Sequence, residues 1–158
     1  MNNSAITAKA EEVKNRDEIQ LVVFKLANEE YAIDIDHVSE IRKMINITRV
    51  PRTADYYLGV MNLRGSVLPV IELKKRLYLP LTKRTEDSRI IILRVDDISF
   101  GITVDAVSEV TIIDKANIEP PSSIDTNVER KFITGVGKNN NRLLIMLNVK
   151  EIVGLSND

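Results

Sequence analysis

The sequence predicts an all-β protein made of two small, similar barrels that pack together with a near-twofold relation, joined by few short helical turns. Three observations predict it. Apolar residues alternate with polar ones over short runs that are bounded by turn residues. The pattern of the first half recurs in the second at a fixed offset. Each half, at about 65 residues, is near the lower limit for an independent core, so the two are expected to share apolar surface, with strands free to cross between them.

Residues 1–17 are polar, with Ala, Glu and Lys at helix-compatible spacing but too narrow an apolar stripe to dock, and read as a mobile tail. The folded region is expected over 18–155, with halves at 19–80 and 88–155. Leu21 to Leu26 reads as a strand and Asn28-Glu29-Glu30 as a turn. Tyr31, Ile33 and Ile35 alternate with Ala32, Asp34 and Asp36, which predicts a strand with one buried and one wet face. Asp36 to Lys43 is either a helical turn or a short strand. The spacing of Val38 and Ile41 leans toward the turn. Tyr57 to Leu73 reads as strand, tight glycine loop, strand, with Gly59, Asn62 and Gly65 supplying turn chemistry. Pro69 lacks an N–H, so its strand is expected at an edge or with a bulge.

The repeat is read from paired positions. Val22, Phe24 and Leu26 recur as Ile91, Leu93 and Val95, 69 residues on. Tyr31, Ile33 and Ile35 recur as Phe100, Ile102 and Val104; Glu40 and Ile41 recur as Glu109 and Val110. Past Pro120 the offset becomes 76, where Gly135 matches Gly59 and Leu143, Leu147 and Val149 match Val67, Ile71 and Leu73. The extra residues fall in the polar stretch Pro120 to Lys131, a loop. At the offset of 76, Asn62-Leu63-Arg64-Gly65 meets Lys138-Asn139-Asn140-Asn141. A hairpin here needs turn residues but not an arginine, and this contrast singles out Arg64.

Composition excludes several classes. With 44% hydrophobic and 28% charged residues the chain supports a real core. A net charge of −1 and aromatics at 4% argue against nucleic-acid binding. The absence of cysteine excludes disulfides and thiolate chemistry. No run is long enough to span a bilayer and no signal core opens the chain, so a cytoplasmic protein without direct membrane insertion is expected. On that reading the sequon Asn46-Ile47-Thr48 is incidental. The basic clusters Lys74-Lys75-Arg76 and Lys83-Arg84 read as a solvated linker.

Catalytic constellations are missing. The one histidine, His37, has Glu40 three residues on, but two ligands do not make a catalytic metal site. Asp34 and Asp36 share a strand face and read as its wet side, and Asp96-Asp97 as a turn. No nucleophile elbow or phosphate-cradling loop occurs. No enzyme, metal or cofactor is expected, and what remains is binding surface.

Gly59-Val60-Met61-Asn62-Leu63-Arg64-Gly65, followed by Val67, Pro69-Val70 and Leu73, closely resembles the CheW family of chemotaxis coupling proteins. The resemblance runs from about Leu21 to Val153 and takes in Tyr31 to Ile35, Val38, Glu40-Ile41-Arg42, Phe100 to Asp105 and Phe132 to Gly137. It implies two SH3-like five-stranded barrels and no catalysis. It implies two partners, the cytoplasmic tip of chemoreceptors and the regulatory domain of the histidine kinase CheA, and location at receptor arrays through them. The receptor-facing positions it implies are Val38, Glu40, Gly59, Arg64, Gly65, Gly101 and Gly135, with an Arg64–Glu40 pair in the loop region of the first half orienting the guanidinium. The four glycines have a second reading as turn and packing positions. A helical receptor tip is expected in a groove between the barrels. The kinase contact is expected as an apolar patch at a barrel end of the second half, its residues unassigned. The alternative is a scaffold module of the same fold docking another kinase or a response regulator.

Overall fold

A computed structural model describes residues 17–154; the predicted N-terminal tail lies outside them apart from Asp17. Eleven strands form two sheets among these residues. In chain order they are β1 (Glu18–Leu26), β2 (Glu29–Asp34), β3 (Val38–Lys43), β4 (Tyr57–Leu63), β5 (Ser66–Ile71), β6 (Arg89–Val95), β7 (Ile98–Val104), β8 (Ala106–Asp114), β9 (Ile118–Glu119), β10 (Ile133–Asn139) and β11 (Arg142–Leu147). Two short helices follow β5 and β11: α1 (Leu73–Arg76) and α2 (Val149–Val153). No helix among the described residues is long and apolar enough to cross a membrane.

The halves exchange strands. One sheet runs β8-β1-β2-β11-β10-β9 and the other β3-β6-β7-β5-β4. Each barrel therefore takes its first hairpin from one half of the chain and its remaining strands from the other. The register repeats as the offsets do. Val22 pairs with Val110, and their counterparts Ile91 and Ile41 pair in the other sheet. Ala32 sits beside Met146 in parallel, as Gly101 sits beside Val70. Even the irregularities recur. A bulge skips Ser39 in one sheet and Ser108 in the other, and a second skips Leu58 and Thr134.

Hairpins close with two-residue turns at positive φ: Ala27-Asn28, Arg64-Gly65, Asp96-Asp97 and Asn140-Asn141. That geometry matches the right-handed strand twist. Packing then makes three cores. Leu21, Val23, Ala32, Ile113, Leu144 and Met146 fill one barrel. Met61, Leu68, Val70, Ile90 and Ile92 fill the other. A larger cluster between them includes Phe24, Tyr31, Ile71, Ile91, Phe100 and Phe132. Burying both faces of β1 and β6 explains their continuous apolar runs.

Four expectations need correction. β2 has no wet face at its centre, because Tyr31, Ala32 and Ile33 are all buried between its own barrel core and the shared one. Of the two readings of Asp36 to Lys43 the short strand is the one that forms, as Val38–Lys43, and the helical turn toward which the spacing leaned is a 3-10 turn, Ile35–His37, that overlaps only the segment's first two residues. Pro69 lies on β5, an interior strand, and the bulge in the β4–β5 pair lies at Leu58 instead. The missing N–H is accommodated because β5 joins β7 only from Val70 onward. The loop Pro120 to Lys131 contains a 3-10 turn, Pro121–Ser123, and enters another at Arg130–Phe132.

The shared core holds one orphan. The Tyr31 hydroxyl is buried without a hydrogen-bond partner among the described residues, and burial, with Glu29 adding to it, pushes the phenol's pKa up. Its counterpart Phe100 has no hydroxyl. Removing an unpaired buried hydroxyl removes a desolvation cost, so Tyr31→Phe is expected to raise stability by about 1 kcal/mol in urea unfolding. A loss of stability there would show that the hydroxyl has a partner.

Candidate functional site

Arg64 opens the β4–β5 turn at φ 51°, where the counterpart residue is Asn140. An arginine in the left-handed region is strained relative to Asn or Gly. Gly65 follows at φ 85°, with nothing within 4 Å of the place a Cβ would take, and its N–H donates to Asn62 Oδ1 at 3.1 Å. The Asn62 side chain thus closes the turn that Arg64 heads.

The Arg64 guanidinium reaches strand β3. Its Nη1 donates to Glu40 Oε2 at 2.7 Å and Nη2 to Oε1 at 3.4 Å, while Arg42 Nη1 donates to Oε1 at 3.1 Å. The predicted pair is present, with Glu40 on a strand instead of in a loop. The Arg64 side chain stays 70% exposed. Its hydrogen bond to Glu40, supported by Arg42 and opposed by burial, holds the Glu40 carboxyl below its usual range. The pair therefore persists above that lowered pKa and dissolves as pH falls through it. Exposed pairs contribute little stability. What this one fixes is the direction in which a solvent-facing guanidinium points.

β3 and β4 are the two ends of their sheet, so the pair also bridges strands that the ladder leaves apart. The second barrel ties its end strand β8 to the interior strand β11 with different residues, and the same arginine also reaches the neighbouring strand β2. Arg142 donates through Nε and Nη2 to Glu30 at 3.0 and 2.9 Å and through Nη1 to Glu109 Oε2 at 3.0 Å. Glu109 is the repeat counterpart of Glu40. Asn139 Nδ2 adds a bond to Thr111 Oγ1 at 3.2 Å. Sequence reasoning compares the turns themselves, at position 140, and misses Arg142 two residues later. The contrast between the halves is then narrower than the turns suggest. Both glutamates meet an arginine, but Arg142 is clamped between two carboxylates and half as exposed as Arg64.

The other expected positions divide by burial. Val38 is half-buried and packs against the shared core. Gly59, Gly101 and Gly135 are buried, which favours their second reading, as packing positions. A Cβ on Gly101 would meet Ile90 Cγ2 at 2.9 Å, and one on Gly135 would meet Ile118 Cγ2 at 2.8 Å. The Asp34 carboxylate accepts the Asp36 N–H and caps the turn Ile35–His37, so it is no acid–base partner of Asp36.

The basic clusters are not simply a solvated linker. Lys74 is buried, and its Nζ donates to Asp105 Oδ1 at 2.6 Å and to Thr82. Arg76 lies over the rings of Tyr56 and Phe132, at 4.4 and 4.8 Å, and donates to the carbonyls of Ile152 and Glu151 at 2.7 and 2.8 Å. It satisfies carbonyls near the end of α2 and ties α1 to it.

The CheW-like domain family model matches residues 20–156. The chain belongs to the CheW family. Chemotaxis protein CheW of Helicobacter pylori is 37% identical over 148 residues, covering 93% of this chain and 88% of that protein. Chemotaxis protein CheW of Bacillus subtilis is 39% identical over 137 residues, with 85% and 86% covered. Among solved structures, the scaffolding protein TtCheW from Thermoanaerobacter tengcongensis superimposes with a TM-score of 0.80 at 39% identity, covering 85% of this chain and 86% of that one. The two-sheet architecture is that of a CheW protein, and the Arg64 turn with its Glu40 brace sits inside the matched region.

Proposed function

We propose that this CheW-family chain is a non-catalytic adaptor that couples the cytoplasmic tips of chemoreceptors to the histidine kinase CheA, working in the cytoplasm at receptor arrays. One observation carries the reading. A 70% exposed guanidinium is held by Glu40 on a strained turn residue, oriented outward and contributing little to stability. Such an arrangement serves a partner. The relatives' names, chemotaxis protein and scaffolding protein, support the same reading. Val38, Glu40, Arg64 and Gly65 are the proposed receptor contacts, and the three buried glycines shape the strands behind them.

The test is titration of a receptor cytoplasmic fragment and of the kinase, separately and together. Arg64→Glu places a second carboxylate against Glu40 and is expected to weaken receptor binding at least tenfold, about 1.4 kcal/mol. The unfolding midpoint is expected to stay close to that of the parent, because the pair is exposed. Unchanged ternary binding by a folded Arg64→Glu protein overturns the assignment.

A further inference from the structure

The two arginine clusters use the guanidinium in different ways. A guanidinium offers one fork at its end, from Nη1 and Nη2, and another along its side, from Nε and Nη2. Either fork fits a carboxylate. Arg142 sets its side fork on Glu30, with Nε to Oε1 at 3.0 Å and Nη2 to Oε2 at 2.9 Å, and turns Nη1 to Glu109. Arg64 sets its end fork on Glu40. Among the described residues nothing accepts from Arg64 Nε, and Nη2 makes only the long bond of 3.4 Å to Glu40 Oε1.

The charge balance differs in the same sense. Around Arg142 one cation meets two carboxylates. Around Arg64 two cations share one carboxylate, because Arg42 also donates to Glu40, at 3.1 Å. Arg42 takes Oε1, the oxygen that Arg64 reaches only at 3.4 Å, so Glu40 satisfies neither arginine in full. The repeat shows where the difference arises. At the offset of 69, Ser99 stands for Glu30 and Thr111 for Arg42. The first barrel lacks the second carboxylate at its repeat position and gains a cation.

We propose that the side fork of Arg64 takes a carboxylate from the partner, an Asp or Glu side chain of the receptor tip, as the side fork of Arg142 takes Glu30. The inference rests on the reading of Arg64 as a receptor contact and adds the chemistry of the group that it meets. The Arg64 side chain is 70% exposed, against 34% for Arg142, and so remains within a partner's reach. The fork sets the direction of the contact, and the excess positive charge favours the approach of an acidic group.

A double-mutant cycle tests this. Arg64→Asn removes the guanidinium and installs the residue type found at the counterpart turn position 140, where the backbone is also left-handed. Each Asp and Glu at the tip of a receptor cytoplasmic fragment is changed in turn to Asn or Gln. Every fragment is titrated against the parent and the Arg64→Asn protein. One receptor carboxylate is expected to stand out. Its neutralisation weakens binding to the parent about fivefold and leaves the affinity of the Arg64→Asn protein unchanged. Arg64→Lys keeps the charge without the fork and is expected to lose most of that coupling. Coupling undiminished by lysine overturns the forked geometry. Binding that Arg64→Asn does not weaken overturns the receptor reading, and this inference with it. Binding that Arg64→Asn weakens, with no receptor carboxylate coupled to residue 64, leaves the receptor reading in place and overturns the carboxylate.

Discussion

Replacing Gly59 with alanine is expected to destabilise the protein by about 3 kcal/mol or more, with loss of binding that follows loss of fold. Gly59 sits at φ 150°, in a region where side-chain-bearing residues are rare. Its Cβ would lie 2.2 Å from the Thr48 carbonyl oxygen and 2.8 Å from the carbonyl carbon. Neither atom belongs to a flexible side chain. Thr48 is pinned there by two backbone bonds with Val60, of 2.9 and 2.8 Å. Moving Thr48 away breaks both, at about 1 kcal/mol each, on top of the backbone strain. Urea unfolding measures the sum. Gly65→Ala is the control, since its φ of 85° costs about 1 kcal/mol with no clash. Equal, small effects at both positions would mean that the Thr48 crossing yields easily.

Asp105→Ala is expected to cost about 2–4 kcal/mol, because it strands a buried cation. The Lys74 side chain is 6% exposed and loses its carboxylate, keeping only Thr82. Ala27 in the β1–β2 turn loses its acceptor as well, since its N–H donates to Asp105 Oδ2 at 2.9 Å. The range sits below that for a fully buried pair because Asp105 itself is 30% exposed. Asp105→Asn keeps an acceptor for Ala27 and should fall between. Urea unfolding gives the magnitudes. Amide exchange at Leu79, whose N–H donates to the Lys74 carbonyl at 2.8 Å, shows where the loosening starts, and an unchanged rate there would remove Lys74 from the account.

Much of this architecture is legible from spacing. The offsets of 69 and 76 locate the paired strands, because side-chain direction alternates with a period of two and the two halves have to bury equivalent faces. What spacing does not carry is which half supplies the opposing surface. Ala32 alternates in sequence with Tyr31 and Ile33 as a wet-face residue would; only the second core, behind β2, buries it. Lys74 reads as solvated for the same reason, since its partner Asp105 is 31 residues away. The turn context singles out Arg64, but its pairing with Glu40, 24 residues away in sequence, comes from the family resemblance. Arg142 is not singled out, because it opens the strand directly after the turn, two residues past position 140 where the repeat places the comparison.

The exchange of hairpins has a consequence for how such a molecule can come apart. Severing the chain between α1 and β6 would not release two modules, since each fragment holds the opening hairpin of one barrel and the closing strands of its neighbour. A lone fragment could complete its hydrogen bonding only against another copy of itself. The single chain is laid out like an interlocked homodimer with its two subunits tied end to end, and each half carries its own surface.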